Sequence, residues 1–246
     1  MPTSRPITPA RRWRGRSASE RTAERRERLI AAALEVFGTR GYSSSTVRDV
    51  CREAGLTERY FYESFRNREA LLGALADRIV DEALEVVALA LADSERELED
   101  IVRDALGRFV GSLVDDPRRA QVLLVETVGV SRPAENRRRE IIGHLAAVTR
   151  QALAGALGES APDPTDADLT ARALIGAGNE LLVGYIRGEL TVDRERLTDH
   201  LAALFLSAAP LSSSRDAPRP ADRQPSTRAK PNPQPNRPTP GGPDGR

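Results

Sequence analysis

The chain has 246 residues and is almost neutral, with 37 Lys and Arg against 36 Asp and Glu and a net charge of +1. Its apolar fraction of 39% can supply a hydrophobic core, but no run approaches the roughly 18 apolar residues that span a bilayer. A single cysteine excludes an intramolecular disulfide, and no apolar stretch follows the basic N-terminus as a secretory signal would require. We therefore expect a cytoplasmic protein with no membrane partner.

Both ends of the chain have the composition of unfolded segments. Residues 1–19 mix Pro, Arg and Ser without periodicity, and residues 207–246 hold 10 of the 17 prolines. Segments with so little apolar surface cannot offset their ordering entropy, so both are predicted to be disordered. The first 28 residues carry 9 Arg against 3 Glu. The basic segment 1–19 is therefore either a solvated tail or an arm that reaches the phosphates of a nucleic acid.

Between these ends, apolar residues recur at helical spacing and predict an all-α fold of about nine helices. Gly41 is suited to the left-handed position at the end of the first helix, and Gly55 ends the second. Thr46 with Asp49 resembles a capping box at the start of the second. The first four helices are predicted over residues 20–39, from 45 or 46 to 54, 57–64 and 67–91.

Later helix starts also carry local signals. Ser94 with Glu97 resembles a capping box, and Asp116 stands before a proline, as an N-cap residue often does. Two long helices are predicted from Ser131 or Pro133 to about residue 157 and from Asp163 to about residue 188. Thr191 is predicted to cap the last helix, which ends near residue 206.

The second and third helices are short and joined by a glycine, which predicts a helix-turn-helix unit. Gly55 supplies the tight turn, and Val50, Leu56 and Phe61 supply the apolar contact between the helices. The side chains left to face outward are those of Thr57, Glu58, Arg59, Tyr60 and Tyr62. The N-terminal residues of such a recognition helix read base edges, so Arg59 could pair with guanine and Thr57 with a base edge or a phosphate.

Aromatic residues are concentrated around this unit. Phe61 and Phe65 are four residues apart and are predicted to pack inward, because a helix this short needs tertiary contacts. Tyr60 and Tyr62 are predicted to point outward and offer hydroxyls to phosphate oxygens. Arg68 is near the start of the fourth helix, where free N–H groups already favour a phosphate.

At these residues the chain resembles the TetR/AcrR family of transcriptional regulators. The matching segments are "FGTRGY" at 37–42, "TVRDVC" at 46–51, "AGLT" at 54–57, "FYESF" at 61–65 and "NREAL" at 67–71. The resemblance implies DNA contacts at Tyr42, Thr46, Arg48, Thr57, Tyr62 and Arg68. Cys51, Tyr60 and Ser64 depart from the family pattern, which puts the base preference and one phosphate contact in doubt.

The resemblance also implies a division into domains. Residues 20–66 would form a three-helix DNA-binding domain, and residues 67–206 a helical bundle for effector binding and dimerisation. The last two helices, about 165–188 and 192–206, would pair with those of a second copy across a two-fold axis. Phe109, Glu126, Asn179 and Tyr185 are the candidate ligand-binding residues.

The function implied is a homodimeric repressor, bound to a palindromic operator in double-stranded DNA and released by a small-molecule effector. An activator, a regulator without an effector and an architectural DNA-binding protein are the alternatives. An enzyme is not expected, because the sequence lacks a nucleophile elbow, a phosphate-binding loop and metal-ligand motifs. We also expect no cofactor and no bound metal, since His144 and His200 have no partners at ligand spacing.

Overall fold

The computed structural model describes residues 17–92, 96–158 and 163–208, and within these ranges the all-α prediction is confirmed. Nine α-helices and one π-helical segment make up the described part of the chain. The helices are α1 (Ala18–Arg40), α2 (Val47–Ala54), α3 (Glu58–Ser64), α4 (Arg68–Leu91), α5 (Leu98–Val114), α6 (Pro117–Ala120), α7 (Arg132–Leu157), α8 (Pro164–Ile186) and α9 (Arg194–Ala208), with the π-helical segment Gln121–Glu126 after α6. The predictions for residues 1–16, for Ser94 and for residues 209–246 lie outside the described ranges.

The first helix begins earlier than the sequence indicated. The Ser17 hydroxyl accepts from the backbone N–H of Glu20, and the Glu20 carboxylate accepts from the N–H of Ser17, a complete capping box. Residues 18 and 19, which we predicted to be disordered, therefore belong to α1. Capping satisfies N–H groups that have no partner inside the helix, so it fixes the start of α1 more firmly than apolar periodicity does.

Most predicted helix ends are confirmed. Gly41 ends α1 as predicted, but with φ 82° and ψ 150° it lies outside the left-handed helical region, and one N-cap is also corrected. Thr46 and Asp49 form the predicted capping box of α2, and Asp116 accepts from the N–H of Arg118 at the start of α6. The last helix is capped by Asp193, whose carboxylate accepts from the N–H of Arg196, so the assignment to Thr191 was wrong. Helix α9 also runs to Ala208, two residues beyond its predicted end.

Helix α4 is the central element of the core. Leu71, Leu72, Leu75 and Ile79 are almost completely buried on its inner side. They join the buried face of α1 to that of α5 and to Leu201 of α9 in one continuous apolar cluster. The N-terminal three helices therefore sit on the same core as the bundle. In the described ranges, no helix is long and apolar enough to cross a bilayer.

The contact between α1 and α6 is close enough to depend on a glycine. A Cβ atom on Gly38 would lie 2.5 Å from the Cβ of Arg118 and 2.9 Å from its Cα. The Arg118 guanidinium pairs with Glu35 of α1 and with Asp116 on its own side. Helix α6 is thus held against α1 both by close packing and by the ion pair between Arg118 and Glu35.

Candidate nucleic-acid interface

Helices α2 and α3 are joined by the tight turn that the sequence predicted. Gly55 has φ 61° and ψ 38°, the left-handed conformation that favours glycine. Its N–H donates to the carbonyls of Cys51 and Arg52, and the N–H of Leu56 donates to the Cys51 carbonyl at 2.9 Å. These bonds use the free carbonyls at the end of α2 and set the angle at which α3 leaves.

The third helix is anchored by its phenylalanines, as predicted. Phe61 is completely buried, and Phe65 is nearly so. Their rings lie 6.0 Å apart, and the Tyr62 ring meets the Phe61 ring edge-on at 5.3 Å. A helix of seven residues is not stable alone in water, so this burial is what holds α3 in place.

Arginines of α1 hold α3 and the turn from the other side. The Arg25 guanidinium lies over the Tyr60 ring at 4.5 Å and 3.6 Å from the Glu63 carboxylate. Arg26 lies over the Phe65 ring at 4.6 Å in the same way. The Arg28 guanidinium donates to the carbonyl of Ala54 at 2.6 Å. The Tyr60 ring is therefore covered on one face by α1, although 36% of the residue remains exposed.

The outward side of the unit carries five of the nine predicted DNA-contacting residues. The side chains of Arg48 and Arg59 are each 84% exposed, and Tyr62 is 57% exposed. Thr57 and Glu58 are exposed as well. The Thr57 hydroxyl makes no capping bond to α3 and is available to a ligand. These five residues project from one short, fixed element and its neighbour, at the end of the molecule formed by α1 to α3.

Tyr42, Thr46 and Arg68 are placed differently from the residues of α3. The Arg68 guanidinium donates to the Tyr42 carbonyl at 2.7 Å and lies over the Tyr42 ring at 4.4 Å. The ring also meets Phe37 edge-on at 5.3 Å. Burial raises the pKa of the Tyr42 hydroxyl, and the Arg68 charge only partly opposes it, so Tyr42 is a neutral donor at physiological pH. The Thr46 hydroxyl is taken up by the capping box with Asp49.

The four candidate ligand-binding residues are not brought together around one opening. Glu126 ends the π-helical segment, and its carboxylate accepts from the N–H of Tyr42 at 2.7 Å and from the Gln121 side chain at 2.8 Å. Phe109 and Tyr185 pack, half-buried, against the core cluster. Asn179 is half-buried on α8.

A cavity of about 160 Å³ lies instead between the first turns of α4 and α7. Its walls include Leu72, Ala76 and Ile141, and arginines 66, 137 and 138 surround it. Gly73 forms part of the wall on α4, and a Cβ there would meet nothing within 4 Å. None of the four sequence-predicted ligand residues borders this cavity.

Sequence reasoning missed several residues that hold the helix-turn-helix unit in position. Arg25 and Arg28 are three residues apart and share a face of α1, a spacing that could have placed them beside α3. Glu63 was also missed, although it accepts from Arg59 at 3.1 Å one turn earlier. No local signal could have linked Glu126 to Tyr42, because 84 positions separate them.

Comparisons with known proteins agree with this geometry. The family described as "Bacterial regulatory proteins, tetR family" matches residues 29–75. The uncharacterized HTH-type transcriptional regulator YerO of Bacillus subtilis (strain 168) is 25% identical over 187 residues, 71% of this chain. That match spans 61% of the length of YerO.

Solved structures show a similar fold. The fatty acid degradation regulator FadR from Bacillus halodurans superposes with a TM-score of 0.66 at 17% identity, covering 74% of this chain and 94% of that one. FadR from Bacillus subtilis, solved in complex with stearoyl-CoA, has a TM-score of 0.65 at 19% identity, over 74% and 98%. The matched segment contains α2, α3 and the turn at Gly55 that the structure places at the outward end. Residues 29–75 of the chain therefore match the tetR family of bacterial regulatory proteins, and they contain the helix-turn-helix unit.

Proposed function

We propose that the chain is a DNA-binding transcriptional regulator in which α3 enters the major groove. The observation that carries this proposal is the combination of a rigid inner side and a free outer side on one short helix. Phe61 is buried, whereas Arg59 and Tyr62 are exposed on the same seven residues. An element held in this way can present base-reading groups without losing its own packing.

Arg59 is the residue whose loss tests the proposal most directly. Arginine pairs with the O6 and N7 atoms of guanine through two hydrogen bonds, each such pair being worth about 1–3 kcal/mol of discrimination. Arg59 now pairs with Glu63, one turn along α3, in an exposed contact that is worth little and can be exchanged for DNA. We expect Arg59→Ala to bind a selected operator about tenfold or more weakly than the wild type.

Arg108→Ala is the matched control, because Arg108 is an exposed arginine that pairs with Asp104 one turn earlier on α5. Duplexes would first be selected from a random pool with the wild-type protein, and binding measured at about 150 mM salt, where phosphate contacts alone give weak binding. Equal binding of selected and random duplexes by the wild type would contradict the proposal. So would an Arg59→Ala protein that binds as the control does.

The regulator is proposed to act as a homodimer on a palindromic operator. One side of α8 exposes four residues at helical spacing: Leu169, Ala173, Gly176 and Glu180. Leu169 itself is 62% exposed. A Cβ on Gly176 would meet nothing within 4 Å, so the packing of this chain does not itself require a glycine there. A helix of a second copy lying against this side would explain both the exposed leucine and the glycine at position 176.

Sedimentation velocity tests the dimer. Gly176→Arg places a long charged side chain on the exposed side of α8 and is expected to give a monomer. Gly155→Arg on α7, where a Cβ likewise meets nothing within 4 Å, is the matched control and is expected to stay dimeric. A monomeric wild type, or a dimeric Gly176→Arg variant, would contradict the assignment of this interface.

The regulator is further proposed to be a repressor that a small molecule releases from DNA. FadR from Bacillus subtilis, which has a similar fold, was solved in complex with stearoyl-CoA. This supports a ligand site within residues 67–206 of this chain. Phe109, Asn179 and Tyr185 remain the candidates for it, with the cavity between α4 and α7 as a second location. Deletion of the gene should raise transcription of its target genes, and a fall would indicate an activator instead.

A further inference from the structure

The recognition helix carries an excess of negative charge. Helix α3 reads "ERYFYES" and contains Glu58 and Glu63 against the single cation Arg59. A carboxylate on the DNA-facing side is repelled by phosphates, so it lowers affinity for every duplex. Such a group is compatible with tight binding only if a base donor or a neighbouring cation compensates for it.

Glu63 is compensated within the protein. Its carboxylate lies 3.1 Å from Arg59 and 3.6 Å from Arg25, and its side chain is 38% exposed. Arg25 also covers the Tyr60 ring. Glu63 therefore links α1 to α3 and helps to position α3, and this role does not depend on the DNA sequence that is bound.

Glu58 is in a different situation. It is the first residue of α3, and it pairs with Arg48 of α2 at 3.4 Å. Both side chains are well exposed, at 48% and 84%, so water screens the pair and little energy is lost when it separates. The first residues of a recognition helix are also those that reach base edges. If α3 enters the groove as proposed, Glu58 lies at the base edges and is free to change partners.

We propose that Glu58 is a specificity-determining residue that accepts a hydrogen bond from the N4 amino group of cytosine in each half-site. This inference depends on the proposed function of α3. An ionised carboxylate has only acceptors, so it is repelled by the O6 and N7 atoms of guanine and by the O4 atom of thymine. Adenine presents a donor beside an acceptor, whereas cytosine presents a donor alone. Arg48, released from Glu58, is then free to bind a phosphate.

Glu58→Gln gives a change of base preference rather than a simple loss. Glutamine keeps the size of the side chain but adds a donor, and it pairs with the N6 and N7 atoms of adenine through two hydrogen bonds. Duplexes selected from a random pool by wild type and variant would be sequenced and compared. We expect one cytosine per half-site in the wild-type motif to become adenine in the variant motif, with a change in preference of about tenfold.

Two further variants define the outcome. Glu58→Ala removes the acceptor and is expected to bind all four bases alike at that position, while the rest of the motif is kept. Glu99→Gln is the matched control, because Glu99 is an exposed carboxylate that pairs with Arg103 on α5, and its motif should equal that of the wild type. Far-ultraviolet circular dichroism would verify that each variant is folded.

The results separate this inference from the proposed function. A wild type that enriches a motif without cytosine at such a position, or a Glu58→Gln motif identical to the wild type, overturns the role of Glu58 and leaves the regulator proposal standing. A folded wild type that enriches no motif contradicts both.

Discussion

The backbone N–H of Tyr42 donates a 2.7 Å hydrogen bond to the carboxylate of Glu126, which lies 84 positions later in the chain. The carbonyl of Tyr42 accepts from Arg68 at 2.7 Å. The loop between α1 and α2 is therefore fixed by the π-helical segment and by α4. Since Tyr42 lies just before α2 and α3, a shift of the π-helical segment would reach these helices through this bond.

Replacing Glu126 tests how much depends on this contact. We expect Glu126→Ala to lower the free energy of unfolding by about 1–3 kcal/mol, because it leaves the partly buried N–H of Tyr42 without an acceptor. Glu126→Gln keeps an oxygen for that N–H and should lose less. Urea unfolding of both variants measures the difference, and DNA binding should weaken in the same order. Equal losses in the two variants would contradict a role for the acceptor.

Gly38 tests the close contact between α1 and α6. Alanine favours a helix over glycine by about 1 kcal/mol, but here its Cβ would lie 2.5 Å from Arg118. Overpacking of this kind costs about 1–3 kcal/mol, so we expect Gly38→Ala to be destabilising on balance. Gly73→Ala on α4 is the control, since its Cβ meets nothing within 4 Å, and it should stabilise by up to about 1 kcal/mol. Chemical denaturation would reveal opposite signs for the two alanines.

Phe61 and Tyr62 are neighbours on α3 with opposite exposure. Phe61→Ala removes a fully buried ring and is expected to cost about 3–5 kcal/mol of unfolding free energy. Tyr62→Phe keeps the ring and removes only an exposed hydroxyl, so stability should change by less than about 0.5 kcal/mol. If that hydroxyl contacts a phosphate, the variant binds operator more weakly at unchanged Tm. A large loss of Tm in Tyr62→Phe would show that the hydroxyl supports the fold.

The pH dependence of stability should reflect Asp116. Hydrogen bonding from Arg118 holds the pKa of the Asp116 carboxyl below its usual range, and burial only partly opposes this. A carboxyl whose pKa is depressed in the folded state contributes stability above its unfolded pKa of about 3.9, and that contribution is lost as pH falls through the folded pKa. Asp116→Asn keeps an N-cap acceptor but loses the charge. We expect it to be less stable than the wild type at pH 7, with the gap closing below about pH 3.9. Thermal unfolding across this range provides the measurement.

The helix-turn-helix unit was largely predictable from sequence because its signals are local. Gly55, the capping box at Thr46 and the buried pair of Phe61 and Phe65 each act over a few residues, and each is found as predicted. Steric and hydrogen-bonding preferences of the backbone decide such features, so a short stretch of sequence contains the information.

The contacts that orient the unit could not be predicted in the same way. Glu126 was taken as a candidate ligand-binding residue. Its partnership with Tyr42 depends on how α6 packs against α1, which no local pattern specifies. The π-helical segment was missed for a related reason. It has only six residues, and over so short a stretch the spacing of apolar residues does not distinguish a π-helix from an α-helix.

The inner and outer sides of α3 have different roles, and this division has an evolutionary consequence. Its two phenylalanines secure the helix from within, while the groups that would meet bases contribute almost nothing to the core. If α3 reads DNA as proposed, single substitutions at those outer positions would change the preferred DNA sequence without first destabilising the fold. Duplicated copies of such a gene could then diverge in the sequences they bind while keeping the same core.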